Sequence, residues 1–198
     1  MMTRLEAVNE MLDTIGEPPV SSLSTALPDA KTAVRILDRV SKRVLAAGWH
    51  LNTDTDYVMA RDETGRIPVA PNILRIDTGG MDKTFNVSVR VLDDERFLYD
   101  KKEQSYTFPR ALKCNVVWNV DFEDLTYGLQ LYITSLSARE FQVSELGSIA
   151  VDGLIGRPLA ETWATLQDEE AETEDSNILF DSPSVAWTTR RNNQIRYR

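Results

Sequence analysis

The first sixteen residues constrain the fold most strongly, because they specify a helix with a defined start and end. Thr3 and Glu6 form the T-x-x-E pattern of a capping box. Gly16 ends the helix, and Pro18 and Pro19 cannot continue it. Between these signals, apolar residues recur at helical spacing at Leu5, Val8, Met11, Leu12 and Ile15. The sequence therefore predicts an amphipathic helix that buries one stripe.

A second amphipathic helix is predicted between Pro28 and Gly48. Proline is favoured at the first position of a helix, where its missing N–H has no partner to lose. Gly48 stands just before Trp49 at the expected end of the helix. The apolar positions at helical spacing are Val34, Leu37, Val40, Val44 and Leu45. Because the connection between the two helices is short, we expect them to pack against each other.

From about Thr53 to Val120 the helical period disappears, and short alternating segments typical of β-strands replace it. The clearest strand alternates at Leu112, Cys114, Val116, Trp118 and Val120, and two more are marked by Val87, Val89 and Val91 and by Phe97 and Tyr99. We interpret Gly79 and Gly80 as a hairpin turn. A small antiparallel sheet or barrel is predicted, with Cys114 as a small buried hydrophobic residue.

Helical periodicity returns after the strands. Asp121 or Asp124 is a candidate cap for a third helix. Its apolar stripe is Leu125, Leu129, Tyr132, Ile133 and Leu136. We expect a loop at Gly147, Gly153 and Gly156, and then a fourth helix that begins at Pro158. The apolar seam of this last helix is Leu159, Trp163 and Leu166.

The order of these segments predicts an α+β fold with a four-helix core, two helices at each end, and a small antiparallel β insertion. The helical domain would comprise residues 1–52 and 121–175, and the β-rich insertion residues 53–120. Residues 176–198 would form an extended C-terminal arm. A chain of 198 residues buries roughly 70% of its unfolded surface, which is enough for one main core.

The charge is distributed unevenly along the chain. The net charge is -9, and residues 161–175 carry seven acids and no bases. Binding to nucleic acid through counterion release requires clustered Lys and Arg, so an acidic chain does not favour it. The acidic run has two interpretations. It is either a solvated helix face or, if subunits form a ring, a channel surface that repels the DNA backbone.

The C-terminal arm has the composition of a binding segment. Residues 176–198 hold four arginines and a single acid, and their aromatic residues follow no helical or strand period. Aromatic residues and arginine dominate protein interfaces, so we predict a partner interface there. The alternative is a frayed chain end. The predicted interface residues are Leu179, Phe180, Trp187, Arg190, Arg191, Arg196, Tyr197 and Arg198.

A search for catalytic or metal chemistry gives only weak candidates. His50 is the one histidine and Cys114 the one cysteine, so a two-histidine zinc motif and a cysteine cluster are excluded. His50 follows a helix end, where we predict a capping or packing role. The carboxylate groups at Asp54 and Asp56 and at 93–95 are predicted to be solvated. We therefore predict no enzyme activity, no metal and no cofactor.

No segment approaches the ~20 apolar residues that a membrane-spanning helix requires. No basic region followed by an apolar stretch opens the chain either. We therefore expect no membrane partner.

Several segments together resemble the tail tubular protein A family of T7-like podophages. The segments are VNEMLDTIGEPPV, RILDRVSKRVLAAGWHLN, GRIPVAPNIL, FLYDKKEQSYTF, DFEDLTYGLQLYITSLSAREF and VDGLIGRPLAETWATLQDEEAETEDSNIL. The resemblance runs from about Leu5 to about Leu179. It implies a structural head-to-tail adaptor of the virion tail, assembled in the cytoplasm of the bacterial host.

The resemblance also implies partners. These are the portal ring, a tail nozzle of the tail tubular protein B type, tail fibres, and further copies of the chain in a dodecamer. DNA would pass through this ring without specific binding. Two alternatives from other classes stay open at this point: a virion-associated peptidoglycan-degrading enzyme that uses a carboxylate pair, and a DNA-binding head-completion factor.

Overall fold

A computed structural model describes residues 1–24, 27–147 and 149–173 of the protein. These residues contain four α-helices and five β-strands, which confirms the predicted α+β class. The helices are α1 (Arg4–Asp13), α2 (Pro28–Leu45), α3 (Tyr127–Glu145) and α4 (Ile149–Thr173). The strands are β1 (Thr53–Met59), β2 (Ile73–Thr78), β3 (Val87–Leu92), β4 (Glu95–Asp100) and β5 (Leu112–Trp118).

Helix α1 begins and ends as the sequence predicts. The Thr3 hydroxyl accepts from the Glu6 N–H at 3.2 Å, and the Glu6 carboxylate accepts from the Thr3 N–H at 2.7 Å. Gly16 adopts φ +78° after the helix. The Asn9 side chain then bonds both the N–H and the carbonyl of Val20, at 2.8 and 3.0 Å. These bonds fold the connection back along α1, so that α2 can pack beside it.

The helical core is built around α3, which packs against each of the other three helices. The predicted stripes of α1 and α2 supply much of this core, as expected for amphipathic helices. Residues fully or almost fully buried in it include Val8, Met11, Leu12, Leu37, Val40, Leu45, Leu129, Ile133, Phe141 and Leu166. The helical core therefore draws residues from both ends of the chain.

The start of α3 differs from the prediction. Its cap is Thr126, whose hydroxyl accepts from the Leu129 N–H at 3.4 Å, and neither Asp121 nor Asp124 caps it. Asp121 instead precedes a short 3-10 helix over 122–124, which separates it from α3. Leu125 lies between these two helices and is fully buried. The extra turn places the true cap two residues after Asp124.

Helix α4 begins nine residues earlier than predicted, and Pro158 lies inside it. The glycines at 153 and 156 are helical as well, so the predicted loop is wrong there. A tertiary contact favours this early start. Both Nε and Nη2 of Arg139 donate to the Asp152 carboxylate, at 2.6 and 3.0 Å, and join the first turns of α4 to α3. Such contacts override weak local propensities.

The strands form two antiparallel sheets. One has the order β1-β5-β2, and the other is the hairpin β3-β4. In the hairpin, Asp93 and Asp94 take φ +53° and +64°, as a two-residue turn of the primed type requires. Strand β5 keeps the predicted alternation from Leu112 to Val116, but Val117 is buried as well and Trp118 only partly. The strand ends at Trp118, so Val120 lies outside it and packs against the helical core. The antiparallel prediction is confirmed.

Gly79 and Gly80 are not a hairpin turn. Strand β2, which precedes them, pairs with β5, whereas β3 pairs with β4. A 3-10 helix over Gly80–Thr84 carries the chain from one sheet to the other. A turn signal shows where a chain changes direction, but the pairing of strands depends on longer-range contacts.

A second apolar cluster lies among the strands and their loops, and it includes Ile67, Leu98, Leu112, Cys114 and Val116. Cys114 is fully buried, as predicted, and burial raises the pKa of its thiol to about 11. The division into domains at residues 52, 120 and 175 stays a prediction. No helix among the described residues is both long and apolar enough to cross a membrane.

Candidate functional site

The predicted interface arm lies outside the described residues. This applies to all eight residues predicted to contact a partner: Leu179, Phe180, Trp187, Arg190, Arg191, Arg196, Tyr197 and Arg198. The last described residue is Thr173 in α4, so this helix is the described element that precedes the arm in the sequence. The candidate surfaces that the structure does describe are on the helices and at their junction with the strands.

An aromatic group connects the end of α2 with α3 and α4. The Trp163 ring lies 5.9 Å from Trp49 in an edge-to-face arrangement and 5.0 Å from Tyr132, measured between centroids. The Trp49 indole N–H donates to the Val44 carbonyl at 2.8 Å. Edge-to-face aromatic pairs add to the free energy of burial. Trp163, predicted as part of an apolar seam, is still 38% exposed.

A cleft of about 390 Å³ lies among the residues that follow α2, the start of α3 and the last turns of α4. Its lining includes the backbone or side chains of His50, Tyr127, Glu169, Glu170 and Glu172. The three carboxylates favour a cationic group from a partner over an anionic one.

His50 takes part in this cleft in a way that differs from the prediction. Its N–H donates to the Glu170 carboxylate at 3.1 Å. Its side chain is exposed, which makes the predicted packing role wrong. The residue contributes its backbone to the link between the end of α2 and α4.

Asn52 connects the helices to the three-stranded sheet. Its side-chain amide donates to the carbonyls of Leu45, at 3.0 Å, and Trp118, at 2.7 Å. Its side-chain oxygen accepts from the Trp49 N–H at 2.8 Å. Asn52 is only 1% exposed, so its partners have little access to water. One side chain therefore fixes the end of α2 against the end of β5.

Ion pairs hold α2 against α3. Glu140 on α3 accepts from Arg39, at 3.0 Å, and from Arg43. Partial burial acts to raise the pKa of Glu140, but hydrogen bonds from the two arginines hold this pKa below its ordinary value. Both arginines are more than half exposed, and such pairs contribute little individually. They orient the two helices rather than stabilise them strongly.

Comparison with known proteins identifies the family. Residues 5–176 match the family described as tail tubular protein. The chain belongs to this family. It is also 29% identical over 150 residues to the tail tubular protein A of Klebsiella phage KP34, an alignment that covers 74% of this chain and 75% of the relative. The resemblance drawn from the sequence segments is confirmed, and it makes the chain a structural protein of a phage tail.

The candidate catalytic carboxylates of this tail tubular protein are exposed. Asp54 accepts from the Trp118 indole N–H at 2.8 Å, and Asp56 lies at the bulge of β1 with φ +56°. Asp93 and Asp94 form the exposed hairpin turn, and the exposed Glu95 begins β4. In the described ranges, no group of three or more His, Cys, Asp or Glu side chains is placed to hold a metal ion.

Sequence reasoning did not predict the burial of Asp82 in this tail tubular protein. Asp82 is 2% exposed. Its carboxylate accepts two hydrogen bonds from Arg110, one from Nη1 at 3.1 Å and one from Nη2. It accepts a third from the Lys113 N–H at 2.8 Å. The hydrogen bonds from Arg110, and then that from Lys113, hold the pKa of Asp82 below its ordinary value. This group stabilises the connection between the two sheets. No local pattern in the sequence marks the pairing.

The Asp82 contacts predict a pH dependence of stability. A carboxylate with a lowered pKa in the folded state stabilises the protein above its unfolded pKa of about 3.9, and this contribution is lost as the pH falls. We expect Asp82→Asn to lower the free energy of unfolding by about 2 kcal/mol at pH 7. Urea denaturation at pH 7 and pH 3 measures the difference from wild type, which should shrink at pH 3. An equal difference at both pH values would contradict this assignment.

Proposed function

We propose that this protein is a subunit of the ring that joins the portal to the tail nozzle. The single observation that carries the proposal is the family match over residues 5–176, which spans the helices and both sheets. The ring would be a dodecamer of identical chains in the virion tail, assembled in the cytoplasm of the bacterial host. The protein would have a structural task and no catalytic one.

The helices and the β-rich residues would make different contacts in the ring. The four helices of residues 1–52 and 121–175 would form the ring wall through side-to-side packing, which requires a heterologous interface that closes by rotation. The β-rich residues 53–120 would contact the nozzle of the tail tubular protein B type, neighbouring subunits and tail fibres. Exposed apolar side chains on this part, among them Tyr57, Val58 and Val91, support such contacts.

DNA would pass through the ring without specific binding. Residues 121–175 carry thirteen acids and only two bases, Arg139 and Arg157. Phosphate contacts require clustered cations, so this part of the ring would not retain DNA.

Association with the portal tests the proposed function. The purified chain, the portal ring of the same virus and a mixture of the two would be compared by native mass spectrometry. We expect a complex with saturable stoichiometry, in which portal ring and chain occur in a fixed ratio. Two components that stay separate, while each is folded, would overturn the portal contact.

The C-terminal arm is proposed to dock on the portal. Deletion of residues 184–198, which removes Trp187, Tyr197 and four arginines, should weaken portal binding at least about tenfold, because such residues dominate interfaces. Portal binding would be measured by titration, with unchanged thermal unfolding of the truncated chain as the control. Undiminished portal binding by the truncated chain would contradict the proposed role of the arm.

A further inference from the structure

The outer face of α2 carries basic side chains that form no ion pair within the described part of the chain. Lys31, Arg35 and Lys42 are exposed and recur on the side of the helix opposite its buried residues. No carboxylate of the described residues forms an ion pair with any of them. The one acid on this face, Asp38, is already bonded to Arg4 of α1. We call Lys31, Arg35 and Lys42 the α2 flank.

The outer face of α4 carries the opposite charge. Glu161, Asp168 and Glu172 are exposed and lie opposite Leu166, which is 1% exposed in the helical core. Only Glu161 has an ion-pair partner among the described residues. This is Arg157, one turn before it, and both side chains of that pair are largely exposed. We call Glu161, Asp168 and Glu172 the α4 flank.

The two flanks match in spacing when the helices run antiparallel. The bases are separated by four and then seven residues, and the acids, counted backwards, are separated by four and then seven residues. Each flank is therefore about 16 Å long. The matched pairs are Lys31 with Glu172, Arg35 with Asp168, and Lys42 with Glu161. In this register Asp38 faces Thr165, so no acid meets an acid.

The two flanks do not meet within one chain. Helix α3 packs against both α2 and α4, whereas α2 and α4 have no extensive contact with each other in the described residues, and no residue of one flank forms an ion pair with a residue of the other. A charged face and its complement that do not pair within one chain suit a head-to-tail contact between copies. We infer that the α2 flank of one subunit packs antiparallel against the α4 flank of the next. This inference rests on the proposed ring.

Charge would select the geometry of this contact rather than supply most of its affinity. Exposed ion pairs are individually weak, but like charges brought together are unfavourable and suppress wrong pairings. Two α4 flanks would repel each other, as would two α2 flanks, so a symmetric dimer through either flank is disfavoured. The exposed alanines at 160, 164 and 171 leave room beside the acids for the stems of Lys and Arg side chains.

Charge exchange tests the inference. One variant carries Lys31→Glu and Arg35→Glu, which makes both flanks acidic. A second carries Asp168→Lys and Glu172→Lys, which makes both flanks basic. The control, Asp13→Lys with Glu17→Lys, alters two exposed acids at the end of α1. Ring formation in the presence of the portal ring of the same virus would be followed by native mass spectrometry and electron microscopy.

The expected outcome is specific to a contact between opposite flanks. Each reversed variant alone should need at least about a tenfold higher concentration to form rings, and the control should assemble as wild type does. An equal mixture of the two reversed variants should recover rings, because each acidic flank then meets a basic one. Recovery also shows that both variants are folded.

Two results would overturn the inference while leaving the proposed function intact. One is ring formation at the wild-type concentration by both reversed variants alone. The other is an equal mixture that assembles no better than its components. If the wild-type chain itself forms no ring, the proposed function fails first, and the inference fails with it.

Discussion

Asn52→Ala should lower the free energy of unfolding by about 3 kcal/mol, because it removes three hydrogen bonds at a buried position. The carbonyls of Leu45 and Trp118 would lose their side-chain donor, and the Trp49 N–H would lose its acceptor. Buried polar groups without partners cost more than the bonds themselves contribute. Urea denaturation of the full chain at pH 7 measures the effect.

Two further substitutions separate hydrogen bonding at Asn52 from a loss of volume. Asn52→Asp keeps the shape but places a carboxylate against two carbonyl oxygens, so it should destabilise the chain at pH 7 at least as much as alanine does. Asn72→Ala, at an exposed asparagine next to β2, should change stability by less than about 0.5 kcal/mol. If the Asn52→Asp variant is as stable as wild type at pH 7, the amide donors contribute little.

Phe141→Ala should destabilise the protein by about 4 kcal/mol, the cost of a large cavity in a closely packed core. Among the described residues, Phe141 is the largest fully buried side chain, and it lies in the helical cluster on α3. Because α3 packs against every other helix, a cavity there affects the whole helical core. Thermal and urea unfolding of the full chain measure the loss.

The neighbouring Val143 provides a matched control on the same helix. It is 53% exposed, so Val143→Ala should cost less than about 0.5 kcal/mol. A Phe141→Ala variant that unfolds at the wild-type urea concentration would contradict the position of α3 at the centre of the core.

Much of the helical architecture was predictable because its signals are local. The Thr3–Glu6 capping box, the left-handed Gly16 and the helix-starting Pro28 each act within one turn of helix, and the structure has all three. The β3-β4 hairpin was also recognisable, since Asp93 and Asp94 form its turn and alternating residues flank them. Local chemistry decides such features whatever surrounds them.

The predictions that failed depend on contacts between distant residues. Pro158 indicates a helix start, but the Arg139–Asp152 ion pair holds the earlier turns of α4 against α3. Gly79 and Gly80 indicate a hairpin turn. Strand β2 instead pairs with β5, which begins more than thirty residues later. Thr126 caps α3 because a short 3-10 helix intervenes after Asp121. None of these outcomes follows from residue spacing alone.

Only some features of the candidate surfaces could be predicted from the sequence. The acidic run at 161–175 was evident, but the sequence did not reveal that the exposed acids of α4 form no ion pairs with the basic face of α2 in the described residues. Asn52 lies in one of the segments that resemble the tail tubular protein A family. Its bonds to Leu45 and Trp118, however, form only when the helices pack against the sheet. The arm residues 176–198 lie outside the described part of the chain, so their role stays a proposal.

Electron microscopy of the chain assembled between its portal ring and its nozzle protein is the measurement that tests the proposed adaptor function. We expect a closed ring between the two, with the helices in its wall and α2 of each subunit beside α4 of the next. A map in which the chain does not surround the channel, or lies as separate copies on the portal surface, would contradict the adaptor function.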